Sequence, residues 1–507
     1  MNKPEIKELS GEVFSQRRFD YTAMTECQAE VSMPDYYPEV RRVVASFAEA
    51  LPDSKFLSEG KLEFGGTVSF SVLYIGDDGS LCCVPYSGEY SDSIKLPGEV
   101  EGGAAVKIIA AAENLQCRVT APRKLLLKTR VKTSVISDSR EYYECTVKSS
   151  SGEPCRRDTT ESLLKKEKTV FERWASTTGS CSGTIPDTGE IKPVMCLGSI
   201  NIVSAIPVRD AVTVTGSAEI CCIVLNENGV YSTVHGSIPF EETVAADGVR
   251  ETDAAAATGR AAAVSVSSDG GVTGAEAEYD IDVTVCRNSE LTVTDDMYST
   301  AAVLDTVRTE YEPISLLSCH NGQLTVSGEI KKTGKSGGDD YIITAFAEST
   351  FDKAEAKSGK LTVTGECKVK VYIASGGDVL CEEGSFPVKY ETPAKDSAEN
   401  GEILWDCRAS VINIEAKDAG DRINVTAELC IMAEAVKKYK TSPVTEARFT
   451  SERTDGRSGC TIKLCRPEAG ESIWSIAKKH HASMPELERI NGVTRDGVSD
   501  GKPIIIK

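Results

Sequence analysis

The stretch Lys61-Leu62-Glu63-Phe64-Gly65-Gly66, followed by alternating Val68, Phe70 and Val72 and then Tyr74-Ile75-Gly76-Asp77-Asp78-Gly79, decides how the chain is read. Apolar residues recur at every second position, which is the period of a half-buried strand. The run ends in Asp-Gly, a turn that needs positive φ, and alternation then resumes, so the segment predicts a β-hairpin.

The same pattern occurs twice more. Val212-Thr213-Val214-Thr215-Gly216 leads through Ile220 and Cys222 to Val224-Leu225-Asn226-Glu227-Asn228-Gly229. Lys360-Leu361-Thr362-Val363-Thr364-Gly365 leads through Cys367, Val369 and Val371 to Ile373-Ala374-Ser375-Gly376-Gly377-Asp378. The marker glycines Gly66, Gly216 and Gly365 are 150 and 149 residues apart. Beyond the turn, Gly236-Ser237-Ile238-Pro239-Phe240 matches Gly384-Ser385-Phe386-Pro387-Val388, with Gly88-Glu89-Tyr90 as a weaker counterpart. A period this long exceeds a solenoid unit, so each copy is expected to be a domain of its own. The expected fold is mainly β: three tandem antiparallel, sandwich-like repeats over 1–150, 159–298 and 299–450, then a small βααβ domain over 460–507. Linkers are expected at Lys148–Asp158, Arg287–Thr300 and Thr450–Gly459. The alanine-rich Ala254–Val264 reads as a surface connection, with a short helix as the alternative.

Composition narrows the function. The chain has 507 residues and a formal net charge of −20 at pH 7, which disfavours contact with phosphate backbones and so excludes nucleic acid as the expected partner. No apolar run reaches the roughly 18 residues that a spanning helix needs. The N-terminal Met1–Glu8 is charged and lacks an apolar signal core, so a cytoplasmic location is expected. The 18 cysteines include no Cys-x-x-Cys, and the vicinal pairs Cys82-Cys83 and Cys221-Cys222 sit in strand-like runs where neighbours face opposite sides. They are expected to be reduced and half-buried, with no metal and no cofactor.

Catalytic constellations are not found. His480-His481 lie in an expected helix, Cys319-His320 precedes a strand with no third group to orient a base, and His235 has no ligand at metal spacing. Thr333-Gly334-Lys335-Ser336 echoes a phosphate loop, but position 329 is Glu instead of the required Gly, so it reads as a turn. The acidic pairs Asp77-Asp78 and Asp339-Asp340 also read as turns. A non-enzymatic protein is expected.

From Cys460 the period changes to 3.6. Thr461–Leu464 reads as a strand, Ile473–Lys479 as a helix capped by Ser472, Met484–Ile490 as a second helix starting at Ser483 and Pro485, and Ile504–Ile506 as a closing strand. Gly470-Glu471-Ser472-Ile473-Trp474-Ser475-Ile476-Ala477, Pro485-Glu486-Leu487, Asn491-Gly492 and Gly501-Lys502-Pro503-Ile504 together resemble a LysM domain. Glu471 stands where that family usually has Asp, and Pro503 interrupts its usual polar pair. The resemblance implies binding of N-acetylglucosamine glycans such as peptidoglycan by two loops, here Gly470, Glu471, Ser472 and Ile473, and Asn491, Gly492, Val493 and Thr494. Trp474 and Ile476 are expected in the core.

The repeats resemble the SPOCS domain through Pro34-Asp35 with Glu39-Val40, the strand and hairpin around Gly66, and Ala121-Pro122-Arg123-Lys124. Tandem SPOCS domains before a C-terminal LysM resemble SipL-type spore coat morphogenetic proteins. That resemblance implies a mother-cell scaffold that anchors the coat to the forespore by binding a coat ATPase like stage IV sporulation protein A. A peptidoglycan-binding protein of cortex or wall is the rival expectation.

Overall fold

The computed structural model describes residues 9–58, 61–95, 105–149, 159–185, 189–270, 272–333, 340–395, 401–452, 462–495, 497 and 501–506. Six strands precede the first repeat boundary: β1 (Leu9–Ser32), β2 (Val40–Ser58), β3 (Lys61–Gly76), β4 (Leu81–Lys95), β5 (Ala105–Ala121) and β6 (Lys124–Ser149). The sheet β2-β3-β4 packs on β1-β6-β5 through a shared core containing Val68, Phe70, Val72, Leu125, Leu127 and Val131. The second repeat has the same plan: β7 (Thr160–Ile185), β8 (Ile191–Val208), β9 (Ala211–Asn226), β10 (Tyr231–Ala245), β11 (Ala254–Asp269) and β12 (Val272–Ser299). Its sheets are β10-β9-β8 and β11-β12-β7. In the third, β13 (Ala302–Arg308) and β14 (Ile314–Lys331) share the first-strand role. They are followed by β15 (Tyr341–Lys357), β16 (Lys360–Ser375), β17 (Asp378–Pro393) and β18 (Glu402–Asp418), and then β19 (Arg422–Lys438) and β20 (Val444–Glu452) share the last. Its sheets are β15-β16-β17 and β14-β19-β18. The chain is therefore mainly β, as three β-rich repeats.

The marker glycines have a steric cause. On β3, Leu62, Phe64, Val68, Phe70, Val72 and Tyr74 point inward and are buried. Gly66 occupies the missing place in that row, as Gly216 does on β9 and Gly365 on β16. Opposite each glycine the partner strand is bulged, between Pro52 and Ser54, Ile202 and Ser204, and Phe351 and Lys353. A Cβ at the three glycines would lie 2.0, 2.2 and 1.9 Å from the carbonyl oxygens of Leu51, Asn201 and Thr350.

The first and last strands of each repeat run on past the sandwich as a two-stranded ribbon. β1 pairs β6 from Ser32–Lys124 out to Leu9–Cys145, and β7 pairs β12 from Ile185–Thr273 out to Thr160–Ser299. The third ribbon is interrupted at Pro313 and Pro443, which have no N–H to give to a ladder; the Tyr311–Thr441 bridge, the Thr309 N–H on the Pro443 carbonyl and the Tyr439 N–H on the Pro313 carbonyl span the break. The three ribbons meet in one core built from Phe14, Tyr143, Leu291, Val293, Met297, Tyr311, Val444 and Ala447. Each fully buried side chain of this kind contributes roughly 1.5–3 kcal/mol. Tyr143 ties them together: its hydroxyl donates to the Val444 carbonyl at 2.9 Å and accepts the Thr294 N–H at 2.8 Å. β20 also pairs in parallel with β6, so ribbons one and three share a sheet.

The hairpin ends of the inner sheets meet in a second joint, with Leu73, Ile75 and Leu81 from repeat one, Met195 and Ile223 from repeat two, and Ile343 and Tyr372 from repeat three. Its polar contacts run cyclically. The Leu81 N–H donates to the Tyr231 hydroxyl at 2.9 Å, and the Tyr231 N–H to the Tyr341 hydroxyl at 3.4 Å. Arg42 closes the circuit by donating to the Val379 carbonyl and pairing with Asp378 at 2.7 Å. The three sandwiches thus form a closed, pseudo-threefold ring.

A charged cluster lies between the repeats. Lys107 of repeat one reaches Glu434 at 3.1 Å and Asp406 at 3.4 Å, both from repeat three, and Thr284 of repeat two at 3.2 Å. Arg408 pairs with Asp406 at 2.7 Å. Burial alone would push the Lys107 ammonium down and the Asp406 carboxyl up. The opposite charges outweigh it, so Lys107 titrates above its usual range and Asp406 below.

Several local expectations are corrected. Ala254–Val264 is neither helix nor surface connection but part of β11, paired with β12 along its length. Tertiary pairing overrides alanine's helical preference, and Asn321 from β14 hydrogen-bonds both the N–H and the C=O of Ala257 at 2.7 Å. Arg287–Thr300 is not a linker: β12 runs unbroken to Ser299 because Leu291, Val293 and Met297 are needed in the ribbon core. Cys319-His320 lies inside β14, not before a strand. Residues 148–149 end β6 and 450–452 end β20; the remainder of those two expected linkers, and the Gly334–Ser336 turn with Asp339, lie outside the described residues.

Candidate functional site

The C-terminal module is built from β21 (Lys463–Cys465), α1 (Ile473–His480), α2 (Met484–Asn491) and β22 (Ile504–Ile506), with β21 antiparallel to β22. Ser472 starts α1 by accepting the Ser475 N–H on its hydroxyl at 3.0 Å. His481, expected within the helix, is instead its left-handed C-cap (φ 51°), and its N–H returns to the last turn. Gly492 closes α2 in the same way at φ 63°, its N–H on the Glu488 carbonyl at 2.9 Å. Ile473, Trp474, Ile476, Ala477, Met484, Leu487, Ile504 and Ile506 form the core.

The fold brings the two predicted loops together. The Ile473 N–H donates to the Gly497 carbonyl at 3.0 Å, and the Gly497 N–H to the Thr494 carbonyl at 2.9 Å. Gly470, Ser472, Gly492 and Thr494 are exposed, and Glu471 and Val493 are half-buried. Gly470 has φ 88° and turns the chain into the loop. Two of the eight predicted residues point elsewhere. Ile473 is a core side chain, 1 % exposed. Asn491 clamps the last strand: its Oδ1 accepts the Ile505 N–H, and its Nδ2 donates to the carbonyls of Ile505 and Leu487, at 2.8 to 3.0 Å. Of the two loops, Gly470–Ser472 and Gly492–Thr494 keep groups open to solvent.

The module does not hang free. It sits on the end of the second repeat's ribbon, and Tyr298 and Leu163 enter its core. The Trp474 indole N–H donates to Asp296 at 2.8 Å, and Lys478 reaches both oxygens of the same carboxylate at 2.7 and 2.8 Å. Although burial pushes the Asp296 carboxyl up, these donors hold it below the usual carboxylate range. The Tyr298 ring meets Trp474 edge-on at 4.9 Å, and its hydroxyl donates to the Ala482 carbonyl at 2.6 Å. His481 Nδ1 contacts the Ser299 carbonyl at 2.8 Å. Sequence reading missed Asp296 and Tyr298, because nothing in the sequence links positions that far apart.

The residues weighed for catalysis make other contacts. His320 Nδ1 faces the Tyr390 hydroxyl at 3.5 Å, Cys319 faces the Thr284 carbonyl at 3.6 Å, and His480 Nδ1 lies 3.1 Å from Lys463. Among the described residues no group of three or more His, Cys, Asp or Glu could hold a metal ion, and no helix is long and apolar enough to cross a membrane. Comparison with known protein families, curated proteins and solved structures returned no match.

Proposed function

We propose that this protein is a non-enzymatic scaffold of spore coat assembly, acting in the mother cell at the forespore surface, with the βααβ module as its recognition element. The partner in this reading is a coat ATPase like stage IV sporulation protein A. The observation that carries it is the docked module. Its two loops lie side by side with groups open to solvent, while its other face is docked on a closed ring of three sandwiches. A docked module that presents a surface patch fits a role in localisation. Linking several contact surfaces also raises their effective concentration at a target. The resemblance of the repeats to SPOCS domains and of the module to LysM supplies the sporulation context.

Peptidoglycan is the other candidate occupant, since the resemblance to LysM implies glycan binding at Gly470–Ile473 and Asn491–Thr494, and Gly470, Ser472, Gly492 and Thr494 are exposed. One experiment separates the two. The full chain is offered purified coat ATPase and purified peptidoglycan as parallel baits, with Thr494→Arg as the loop variant. Capture of the ATPase, lost in Thr494→Arg, is the expected result. Capture on peptidoglycan alone replaces the scaffold reading with glycan binding, and capture of neither removes both.

A further inference from the structure

The second helix of the module is capped by another domain. Ser483 holds the N-cap position, but its side chain makes no cap hydrogen bond. The Met484 N–H donates instead to Glu161 Oε1 at 3.1 Å. Glu161 lies near the start of β7, 323 residues earlier. Its other oxygen, Oε2, accepts from Arg495 at 3.2 Å, and Arg495 also donates to the Ser162 carbonyl at 3.1 Å. One carboxylate therefore holds both ends of the segment that contains α2 and the loop behind it. Arg495 follows Thr494 directly, and the loop closes on α1 through the Gly497 carbonyl and the Ile473 N–H. The guanidinium also lies 5.9 Å from the centre of the Trp474 ring, which Asp296 holds from the ribbon side.

A helix N-terminus needs acceptors for its free N–H groups, and a negative charge there is favoured by the helix dipole. In most helices a local Ser, Thr, Asp or Asn serves. Here the acceptor comes from the neighbouring repeat, and the same charge fixes the loop. We propose that Glu161 is a positioning residue for the recognition loops of the βααβ module, so that the second repeat's ribbon and the module form one recognition unit. The inference rests on reading Gly470–Ile473 and Asn491–Thr494 as the recognition surface. It predicts that the ribbon controls how the stretch Asn491–Arg495 is held, although the ribbon itself lies outside the two loops.

Hydrogen–deuterium exchange on the full chain tests it. Glu161→Ala removes both contacts, and Glu161→Gln keeps an acceptor for Met484 but loses the charge facing Arg495. Glu290→Gln, at an exposed carboxylate of the same ribbon, is the control. Glu161→Ala is expected to speed exchange about tenfold in both 484–487 and 491–497, the scale of one lost cap and one lost charge-assisted pair. Glu161→Gln is expected to spare 484–487 and expose 491–497, a split that a general loss of stability does not produce. Unchanged exchange in 484–497 for both variants overturns the proposal. Binding is read in parallel on purified peptidoglycan and coat ATPase. A tenfold weaker capture by Glu161→Ala is expected. Full capture by Glu161→Ala alongside loss in Thr494→Arg overturns the link between Glu161 and recognition. If Thr494→Arg binds both baits like the unmodified chain, the recognition reading fails, and the exchange data still decide whether Glu161 positions the loop.

Discussion

Trp474 donates its indole N–H to Asp296 across 178 positions of sequence, at 2.8 Å, and this bond joins the terminal module to the ring. Asp296→Ala leaves that N–H, on a side chain only 6 % exposed, without its acceptor. A buried donor stranded in this way costs about 1–3 kcal/mol. Loss of docking at that level is expected to show as a red shift and weakening of Trp474 fluorescence, read against a Trp174→Phe, Trp405→Phe background.

The same carboxylate sets a pH limit. Its folded-state pKa is depressed below the unfolded value of about 3.9, so the stabilisation is complete above that pH and is lost as pH falls through the folded value. Docking is expected to be constant from pH 7 down to about 4.5 and to weaken below pH 4. Fluorescence titration of the full chain checks this, and Asp296→Ala should flatten that part of the curve.

The marker glycines are expected to be intolerant for a steric reason. Gly216→Ala would put a Cβ 2.2 Å from a backbone carbonyl, which a side-chain rotation cannot relieve. Overpacking of this kind costs about 1–3 kcal/mol or more. Gly274→Ala would meet nothing closer than the Ser267 hydroxyl at 3.6 Å and is expected to stay within about 0.5 kcal/mol. Urea denaturation of the two variants provides the contrast.

Lys107→Met removes the cation facing Glu434, whose side chain is 1 % exposed. Breaking one side of a buried pair costs about 3–5 kcal/mol. The loss should appear in urea midpoints and should loosen contacts between all three repeats. The ammonium's raised pKa means its contribution is complete below the unfolded value of about 10.4 and is lost as pH rises through the folded one. Loss of the Lys107 contribution is therefore expected only beyond about pH 10.5.

Thiol labelling should be ordered by access. Among the described cysteines Cys381 is the exposed one, while Cys222 and Cys286 are fully buried, and their thiol neighbours Cys196 and Cys319, together with burial, raise their pKa. Iodoacetamide under native conditions is expected to modify Cys381 first. Early modification of Cys286 would mean that the joint between repeats two and three opens readily.

The strands around the marker glycines were legible because alternation and turn chemistry are local signals, and so were the module's helices with Ser472 and Gly492 at their ends. The glycines could be counted from sequence, but their cause could not. Each clash is with a carbonyl on the neighbouring strand, and pairing alone puts it there. Arg287–Thr300 misled because Asn288-Ser289-Glu290 and Asp295-Asp296 have loop composition, yet the ribbon core claims Leu291, Val293 and Met297 between them. For the module's two loops, the sequence located the turns but not the directions of Ile473 and Asn491, which go into the core and onto the last strand. Glu161 and Asp296 were invisible because their partners lie 323 and 178 positions away.

The contact of Arg42 with Asp378 and Val379 bears on how such a chain can evolve. An open stack of repeats has two ends and can be lengthened or trimmed one unit at a time. A closed set of three has no end to add to, because a fourth copy would have to break an existing joint and change the angle at every other. Copy number is thus fixed by geometry, while each repeat stays free to diverge in sequence wherever it avoids the two shared joints. Repeats one and three share a sheet through their ribbons, and repeat two holds the terminal module, so three copies of one plan make three different sets of contacts.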